Sequence, residues 1–390
     1  KFLVEYLKSL ENDAIGEIWN ECIGFLREVQ NSHTIYRHIL PDVFRFVAVM
    51  ANKVETVHFG EQRRVRRDLA DLFLRLFNLS LSSRSIISSV VDTTSTSLSE
   101  KAAGSDPGFI STDSLTDKAD DPSSSSGGPN LAFGKIVQES LAQALQDIIP
   151  SLRAILKDND KVITALSSIV TTLISTAAKS KNFPSSFTPQ LTSLLQAVVK
   201  VPQSQKAWKP AVGDLILDQR FLTMPVAQAE SWKSLVSKWA QADKERLQDY
   251  IARLLTHGSN SNVLFGWTDQ ESTNRKRNVD RLSFIYLSGN SDGYLLNMRT
   301  VINKLEEIMV AEPAVKAEVY TCLRAIVLKL DPTHLSSIWT FVYIELEKTF
   351  NSILAIEDVS TIKEDHLRVL VSACKLLDTL LVLNLDDFKM

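Results

Sequence analysis

Apolar residues recur at steps of three and four positions along most of the chain, which is the spacing of one face of an α-helix. The pattern is clearest near the C-terminal end, where three such stretches follow one another. The second stretch begins after Asp331-Pro332-Thr333, which suits a helix start because Asp caps backbone N–H groups and Pro fits the first turn. We predict three antiparallel helices here, with apolar positions Val315, Val319, Cys322, Leu323, Ile326 and Leu330 in the first, Leu335, Ile338, Trp339, Val342, Leu346, Phe350 and Ile353 in the second, and Leu367, Leu370, Val371, Cys374, Leu377 and Leu381 in the third.

The same pattern fills the chain on both sides of one segment of different composition. Residues 93–130 are dominated by Ser, Thr, Gly, Pro and Asp and offer too little apolar surface to offset the entropy of ordering. We therefore predict an N-terminal helical segment over residues 1–92, a flexible linker or insertion over 93–130, and a helical-repeat array over 131–390. Because helix lengths vary and no tetratricopeptide or ankyrin signature is present, the predicted fold is an all-α, HEAT- or armadillo-like α-solenoid of antiparallel helix pairs.

Composition narrows the classes of partner. The 390 residues carry a net charge of −3, so no general basic field is available to bind nucleic acid. Three widely separated cysteines, Cys22, Cys322 and Cys374, indicate a reducing compartment. The uncharged run 162–178 is short for a bilayer and rich in hydroxyl groups, so we predict a packed helix there. Because the first residue is Lys1 and not Met, we expect the sequence to be part of a longer protein.

A first basic cluster lies on an amphipathic helix predicted before residue 81. Its polar side carries Arg63, Arg64, Arg66 and Arg67, opposite an apolar stripe. Four arginines on one side suit the phosphates of phosphoinositide headgroups. Acidic residues four positions away equally predict a salt-bridged outer face.

A second basic cluster follows an aromatic tip in a loop predicted over residues 258–278. The tip contains Phe265 and Trp267, and the cluster consists of Arg275, Lys276 and Arg277. An aromatic tip with a cationic flank is typical of a loop that binds a lipid or a partner. The alternative is structural, because apolar loop residues also fold back onto helices and hold the loop in place.

One string has the letters of a catalytic motif. Residues 289–293 read Gly-Asn-Ser-Asp-Gly and match the G-x-S-x-G elbow that presents a nucleophilic serine, here Ser291. Asp331 and either His334 or His366 follow in the chain order of a hydrolase triad. An α/β hydrolase also needs buried strands that alternate with helices, and the pattern predicts almost none. Ordinary turn chemistry therefore competes with a serine hydrolase as the explanation.

No signature of a phosphate-binding loop, a zinc protease, a paired-cysteine metal site or a dinucleotide fold occurs, so we predict no cofactor, no metal and no catalytic residue. Three tryptophans at helical spacing, Trp232, Trp239 and Trp339, are predicted to be structural core residues. The wide apolar stripe near the C-terminus is a candidate partner or dimer surface, because one neighbouring helix would not cover it. Its residues are Leu376, Leu377, Leu380, Leu381 and Leu383. Burial under further helices of a longer protein explains the stripe equally well.

The C-terminal half also resembles a known family. The runs Tyr294-Leu295-Leu296 and Ser231-Trp232-Lys233, with residues 221–224, 319–324, 330–339 and 372–378, are similar to the C-terminal region of the Dopey family. The resemblance is best over residues 209–390. It rests on packing residues, so it identifies a family and not a catalytic mechanism.

This resemblance implies a non-catalytic scaffold that is peripheral to Golgi and endosomal membranes on their cytoplasmic face. It implies endosome-to-Golgi transport together with a large Arf-exchange-factor-like scaffold protein and an aminophospholipid flippase. It also implies self-association of the C-terminal region as a homodimer. Two other hypotheses remain open: a peripheral phosphoinositide- or anionic-lipid-binding module, and a serine hydrolase that uses Ser291.

Overall fold

The protein is described here from a computed structural model that covers residues 1–11, 13–56, 62–100, 129–255, 269–356, 362–385 and 388. Within these ranges, the backbone alone is described at residues 13, 56, 62, 83–100, 129–137, 255, 269 and 270. All regular secondary structure in these ranges is helical, and none of it is a β-strand. The prediction of an all-α fold is therefore confirmed. The solenoid arrangement of the helices stays a prediction.

The chain divides into two compact units, which are residues Lys1–Ala177 with Phe187–Ala207, and Ala178–Ser186 with Trp208–Met390. This division is based on contacts, and the boundaries predicted from composition at residues 92 and 130 stay a prediction. Helices α8 (Ser175–Lys179) and α10 (Gln205–Leu217) each contribute residues to both units.

The helices of the first unit follow one another with short connections. Helical backbone in α4 and α5 reaches into both ends of the predicted linker, and residues 101–128 lie outside the described part of the chain. The bounds are α1 (Phe2–Ser9), α2 (Trp19–Asn31), α3 (Leu40–Thr56), α4 (Gln62–Glu100), α5 (Pro129–Ile148), α6 (Leu152–Leu156), α7 (Asn159–Ile169) and α9 (Pro189–Lys200).

The core of the first unit is built around α3. Phe44 of α3 packs edge-on against Phe73 and Phe77 of α4, and all three rings are buried. Helix α3 also packs on α5 and α6, and α5 packs on α9. Stacked apolar stripes of this kind exclude water from the helix interfaces, which is the main stabilising contribution in such a core.

One helical stretch in the described residues, Asn159–Lys179, is long and apolar enough to cross a membrane by length and composition. Its apolar positions Val162, Leu166 and Ile169 are buried in the first unit. The hydroxyls of Thr164 and Ser168 donate to backbone carbonyls four residues earlier. Core helices pass the same test of length and composition, so the stretch is weak evidence for a membrane span.

The second unit contains the remaining helices. They are α11 (Val226–Ala242), α12 (Lys244–Ala252), α13 (Asp269–Ser288), α14 (Leu295–Ala311), α15 (Lys316–Lys329), α16 (Trp339–Leu354) and α17 (Glu364–Leu383). Trp232 and Trp239 on α11 have 0% exposed surface, and Phe221 packs edge-on against Trp232 at 5.3 Å between ring centroids. Trp339 at the start of α16 is buried as well.

Helix α15 is the central element of the second unit. It packs on α13 on one side and on α17 on the other. Because neighbours surround it, the buried positions run all the way round the helix and include Val319, Tyr320, Cys322 and Ile326. A helix that is apolar on every side belongs in the interior of a protein.

The predicted start of the second C-terminal helix is partly corrected. Asp331 Oδ1 accepts from the backbone N–H of Thr333 at 3.0 Å, as a capping residue should. Two 3₁₀ turns, Pro332–His334 and Ser336–Ile338, follow this cap, and the α-helix begins only at Trp339. Leu335 is buried in this tighter backbone, so its apolar spacing alone did not distinguish a 3₁₀ turn from an α-helix.

Candidate functional site

Helix α17 has apolar residues on two opposite sides. Its inner side packs on α15 and α16, and Ala373, Leu376 and Leu380 are fully buried there. A helix advances about 100° per residue, so a second stripe at three- and four-residue spacing lies half a turn away. This outer face, as we call it, consists of Leu367, Val371, Cys374, Leu381 and Val382, all of which are exposed.

The apolar side chains of the outer face are exposed to solvent. Exposed fractions are 46% for Leu367, 48% for Val371, 58% for Leu381 and 76% for Val382. Single exposed apolar residues are common on proteins, but several of them on one helical face mark an interaction surface, here interrupted by the exposed Asp378. We therefore treat the outer face of α17 as the candidate functional site.

The stripe predicted from sequence is divided between the two sides of α17. Leu376 and Leu380 are fully buried on the inner side, and Leu377 is half-buried. Leu381 and Leu383 are exposed. Sequence reasoning missed Leu367, Val371 and Val382 as surface residues, although their spacing of four, then eleven residues continues one helical face.

Ionic and polar contacts hold the inner side of α17. Arg324 Nε of α15 donates to Thr379 Oγ1 of α17 at 2.7 Å. Arg368 of α17 donates to Glu318 of α15, whose side chain is only 1% exposed. These contacts fix which side of α17 faces inward, so the outer face is presented outward by a rigid support.

Beneath Arg368, two carboxyl groups from different helices share a buried region. Burial raises the pKa of Glu318, and the charges of Arg368 and Lys276 oppose that rise. Burial likewise raises the pKa of Asp280 on α13 to about 6; Glu318 adds to this rise and Arg368 opposes it. Arg368 of α17 thus compensates the negative charge of Glu318 and Asp280 when they are ionised.

The basic cluster at 275–277 lies within α13 and points in several directions. Arg275 is 4% exposed, and its Nε lies 3.3 Å from Oε2 of the buried Glu312. Lys276 is half-buried near Glu318. Arg277 is exposed, and its Nη1 donates to Gln219 Oε1 at 3.5 Å. The aromatic tip, Phe265 and Trp267, lies outside the described residues.

The arginines of the other basic cluster differ in exposure. Arg63, Arg64 and Arg67 on α4 are exposed. Arg66 is half-buried, and its Nη2 donates to the backbone carbonyl of Val54 at 3.0 Å. One of the four thus has a structural contact with α3, and the other three lie on the surface.

Residues 289–293 form a turn between two helices. The apolar run before this turn is α13, so the strand that a nucleophile elbow requires is absent from this described stretch. Asp292 adopts a left-handed backbone with φ 58°, and its N–H donates to the carbonyl of Lys329 at 3.0 Å. Its Oδ1 accepts from the backbone N–H of Asp331 at 2.8 Å. The Gly-Asn-Ser-Asp-Gly sequence is therefore explained by a turn between α13 and α14 that hydrogen-bonds to the end of α15.

The candidate triad partner Asp331 is engaged elsewhere. Its carboxylate accepts from both the hydroxyl and the backbone N–H of Thr333, at 2.6 and 3.0 Å. The hydroxyl bond is the main cause that lowers the pKa of Asp331, with the backbone bond second. This arrangement is that of a cap and not that of a group that orients a catalytic histidine.

We expect substitutions at two positions of this turn to differ in their effect on stability. Ser291→Ala should change the free energy of unfolding by less than about 0.5 kcal/mol, because Ser291 is exposed. Gly289→Ala should destabilise by about 1–3 kcal/mol, because the added Cβ would overlap the buried ring of Tyr294. Urea unfolding followed by circular dichroism measures both. Labelling of Ser291 by a fluorophosphonate probe would contradict a purely structural turn.

The described residues contain no group of three or more His, Cys, Asp or Glu side chains that could hold a metal ion.

Comparisons with protein-family models and with curated proteins both match DOP1 proteins. The family model described as DOP1 C-terminal matches residues 2–390. The chain is 32% identical over 405 aligned positions to Protein dop1 of Emericella nidulans, which covers 100% of this chain and 20% of that protein. It is 21% identical over 398 positions to Protein DOP1 of Saccharomyces cerevisiae, and the alignment covers 99% of this chain and 20% of that protein. It is 22% identical over 353 positions to the Protein DOP1 homolog of Drosophila melanogaster, and the alignment covers 88% of this chain and 13% of that protein.

The chain thus spans about a fifth or less of the length of these curated relatives. No solved structure matches it.

Proposed function

We propose, because the chain belongs to the DOP1 C-terminal family, that it is a non-catalytic protein-interaction region of a larger DOP1-like protein in membrane traffic. This family is the one that the sequence resemblance indicates under the name Dopey, so that prediction is confirmed. The proposal concerns what the region does within the longer protein.

The observation that carries the proposal is the outer face of α17. Leu381 and Val382 are more than half exposed, whereas the inner side of the same helix is fully buried. Burial of such a stripe against a partner helix removes apolar area from water and gives a favourable free energy of association. Contacts on the inner side hold α17 in place, so binding at the outer face costs little conformational entropy.

The partner that fits the outer face is a second copy of the same helix. Within the stripe, Leu367 and Leu381 lie symmetrically about Cys374, seven residues before it and seven residues after it. A two-fold axis at Cys374 would set two α17 helices antiparallel, with Leu367 of one copy against Leu381 of the other. A self-complementary patch of this kind is what a two-fold dimer requires.

A double substitution on the outer face tests this dimer. We expect wild-type chain to show twice the 43.6 kDa of one chain in light scattering, and Leu381→Asp with Val382→Asp to show the mass of one chain. Both side chains are exposed in the single chain, so its own packing should stay intact, and the melting temperature should fall only by the stabilisation that dimerisation adds at that protein concentration. Leu380→Ala on the inner side is the matched control. It should cost about 2–5 kcal/mol of stability and leave the mass unchanged.

The wider role within this proposal is endosome-to-Golgi transport on the cytoplasmic face of those membranes. Family membership supports it, and the proposed partners are a large Arf-exchange-factor-like scaffold protein and an aminophospholipid flippase. The same wild-type and double-variant chains, immobilised and exposed to each purified partner, test this role. Retention of either partner supports it, and retention of neither by the wild-type chain contradicts direct binding through this region.

A further inference from the structure

A cleft in the first unit has the features of a binding site and lies far along the chain from α17. It opens between the α5–α6 corner and the C-terminal half of α9, and its volume is about 450 Å³. Clefts of this size hold small molecules. Ile149 and Val162, both buried, form part of its apolar wall.

The side-chain amide of Gln146 lines this cleft and lacks a partner. Its Oε1 atom is buried and accepts no hydrogen bond from any described residue. Buried polar atoms are nearly always satisfied, so an exception calls for a specific explanation. A ligand with hydroxyl groups explains it, because a hydroxyl donates to the amide oxygen and also accepts from the amide nitrogen.

Two cationic side chains are among the residues that line the cleft. Arg153 of α6 and Lys200 at the end of α9 are exposed, and neither side chain makes an ion pair or hydrogen bond within the described part of the chain. Nearby acids have other partners. Asp147 pairs with Arg45 at 2.8 Å, and Glu55 pairs with Lys157. The positive charge of Arg153 and Lys200 is therefore available to an anion.

The two cations and the amide together select a ligand class. Arg offers a planar fork of donors, and a phosphate offers three acceptor oxygens, so the pair Arg153 and Lys200 fits a phosphate group better than a neutral ligand. Ser193, which also lines the cleft, adds a hydroxyl group to its polar lining. Apolar wall residues suit the C–H face of a sugar or cyclitol ring.

We propose that this cleft binds a phosphorylated polyol, with its phosphate at Arg153 and Lys200 and its ring hydroxyls at Gln146. Such a ligand has two sources, which are a soluble inositol phosphate and the headgroup of a phosphoinositide in a membrane. Both present the same phosphate and hydroxyl groups to the cleft. Neither the proposed dimer nor the proposed trafficking partners are needed for this binding.

Calorimetric titration with inositol trisphosphate tests the soluble source. We expect Arg153→Glu to weaken binding by about tenfold or more, because a charge-assisted contact becomes a repulsion. Lys161→Glu is the matched control, since Lys161 is exposed next to Val162, changes charge equally and does not line the cleft. Gln146→Leu should weaken inositol trisphosphate while leaving the weaker binding of inorganic phosphate unchanged.

Co-sedimentation with phosphatidylcholine vesicles that contain phosphatidylinositol bisphosphate tests the membrane source with the same three variants. Binding of either probe that is lost in Arg153→Glu and kept in Lys161→Glu supports the proposal and identifies the source. An equal loss in Lys161→Glu would indicate general charge attraction and overturn it. Absence of binding by both probes would overturn it as well, and so would an affinity for inorganic phosphate as high as that for inositol trisphosphate.

Discussion

Replacement of Arg275 with methionine is expected to lower the free energy of unfolding by about 3–5 kcal/mol. The Arg275 and Glu312 side chains are 4% and 6% exposed, with 3.3 Å between Nε and Oε2. Burial lowers the pKa of the Arg275 guanidinium, and the Glu312 carboxylate opposes that shift. Removal of the cation would leave the carboxylate buried without its counter-charge, which is more costly than loss of a surface pair.

Urea unfolding measures this effect, with two matched variants. Arg277→Met, two residues along the same helix, should cost less than about 0.5 kcal/mol because Arg277 is exposed. Arg275→Met combined with Glu312→Leu should regain most of the loss, because no uncompensated charge remains. If Arg275→Met were as mild as Arg277→Met, the buried ion pair would have no structural role and Arg275 would return as a candidate ligand-binding residue.

Replacement of Asp280 with asparagine is expected to stabilise the protein at neutral pH. Burial holds the pKa of Asp280 at about 6 in the folded chain, above its ordinary value of 3.8. Folding therefore favours the protonated form, and the ionised carboxylate costs stability at pH values above about 6. Charged groups from two other helices contribute, since Glu318 of α15 raises the pKa of Asp280 and Arg368 of α17 lowers it.

The sign of the pH dependence follows from these values. Between pH 3.8 and about 6, the native state binds more protons than the unfolded state, so this group makes stability fall as pH rises. The cost at neutral pH is up to about 3 kcal/mol. Asp280→Asn should recover much of that cost at pH 7.5 and remove this contribution to the slope. Thermal unfolding of both chains from about pH 4 to pH 7.5 checks both expectations.

Glu306→Gln on α14 is the control for the pH series, because Glu306 is exposed and lies outside both the acid pair and the outer face of α17, so its replacement should leave the profile unchanged. An Asp280→Asn variant that is less stable than wild type at pH 7.5 would contradict the account. That result would mean that the ionised carboxylate makes a stabilising contact with Arg368 that outweighs its desolvation.

The helical fold follows from the sequence because apolar residues recur at three- and four-residue steps. These steps predict the helices now seen at Lys316–Lys329, Trp339–Leu354 and Glu364–Leu383. They do not determine which side of the last helix is buried, because Leu376 and Leu380, predicted as a partner surface, lie in the core. The start of the α-helix at Trp339 does not follow from this spacing, since a 3₁₀ turn also buries an apolar residue such as Ile338.

The candidate site on α17 can be predicted from the sequence only in part. A stripe of apolar residues on α17 is visible in the sequence, but which side faces α15 depends on long-range contacts such as Arg324 with Thr379. The burial of Arg275 depends on Glu312, thirty-seven residues later, and no local pattern predicts that pairing. The cleft near Gln146 combines residues from α5, α6, α7 and α9, so it exists only after those helices pack.

The most direct test of the central claim uses Cys374. It is the exposed cysteine of the three, whereas Cys22 and Cys322 are buried, and it lies at the centre of the outer face of α17. If two copies associate through this face, a short bismaleimide should link Cys374 to Cys374 of the second copy and give a band of twice the chain mass. Cys374→Ser, and Leu381→Asp with Val382→Asp, should both abolish that band. A chain that stays uncrosslinked, at protein concentrations where light scattering already shows a dimer, would place the interface elsewhere and contradict the account.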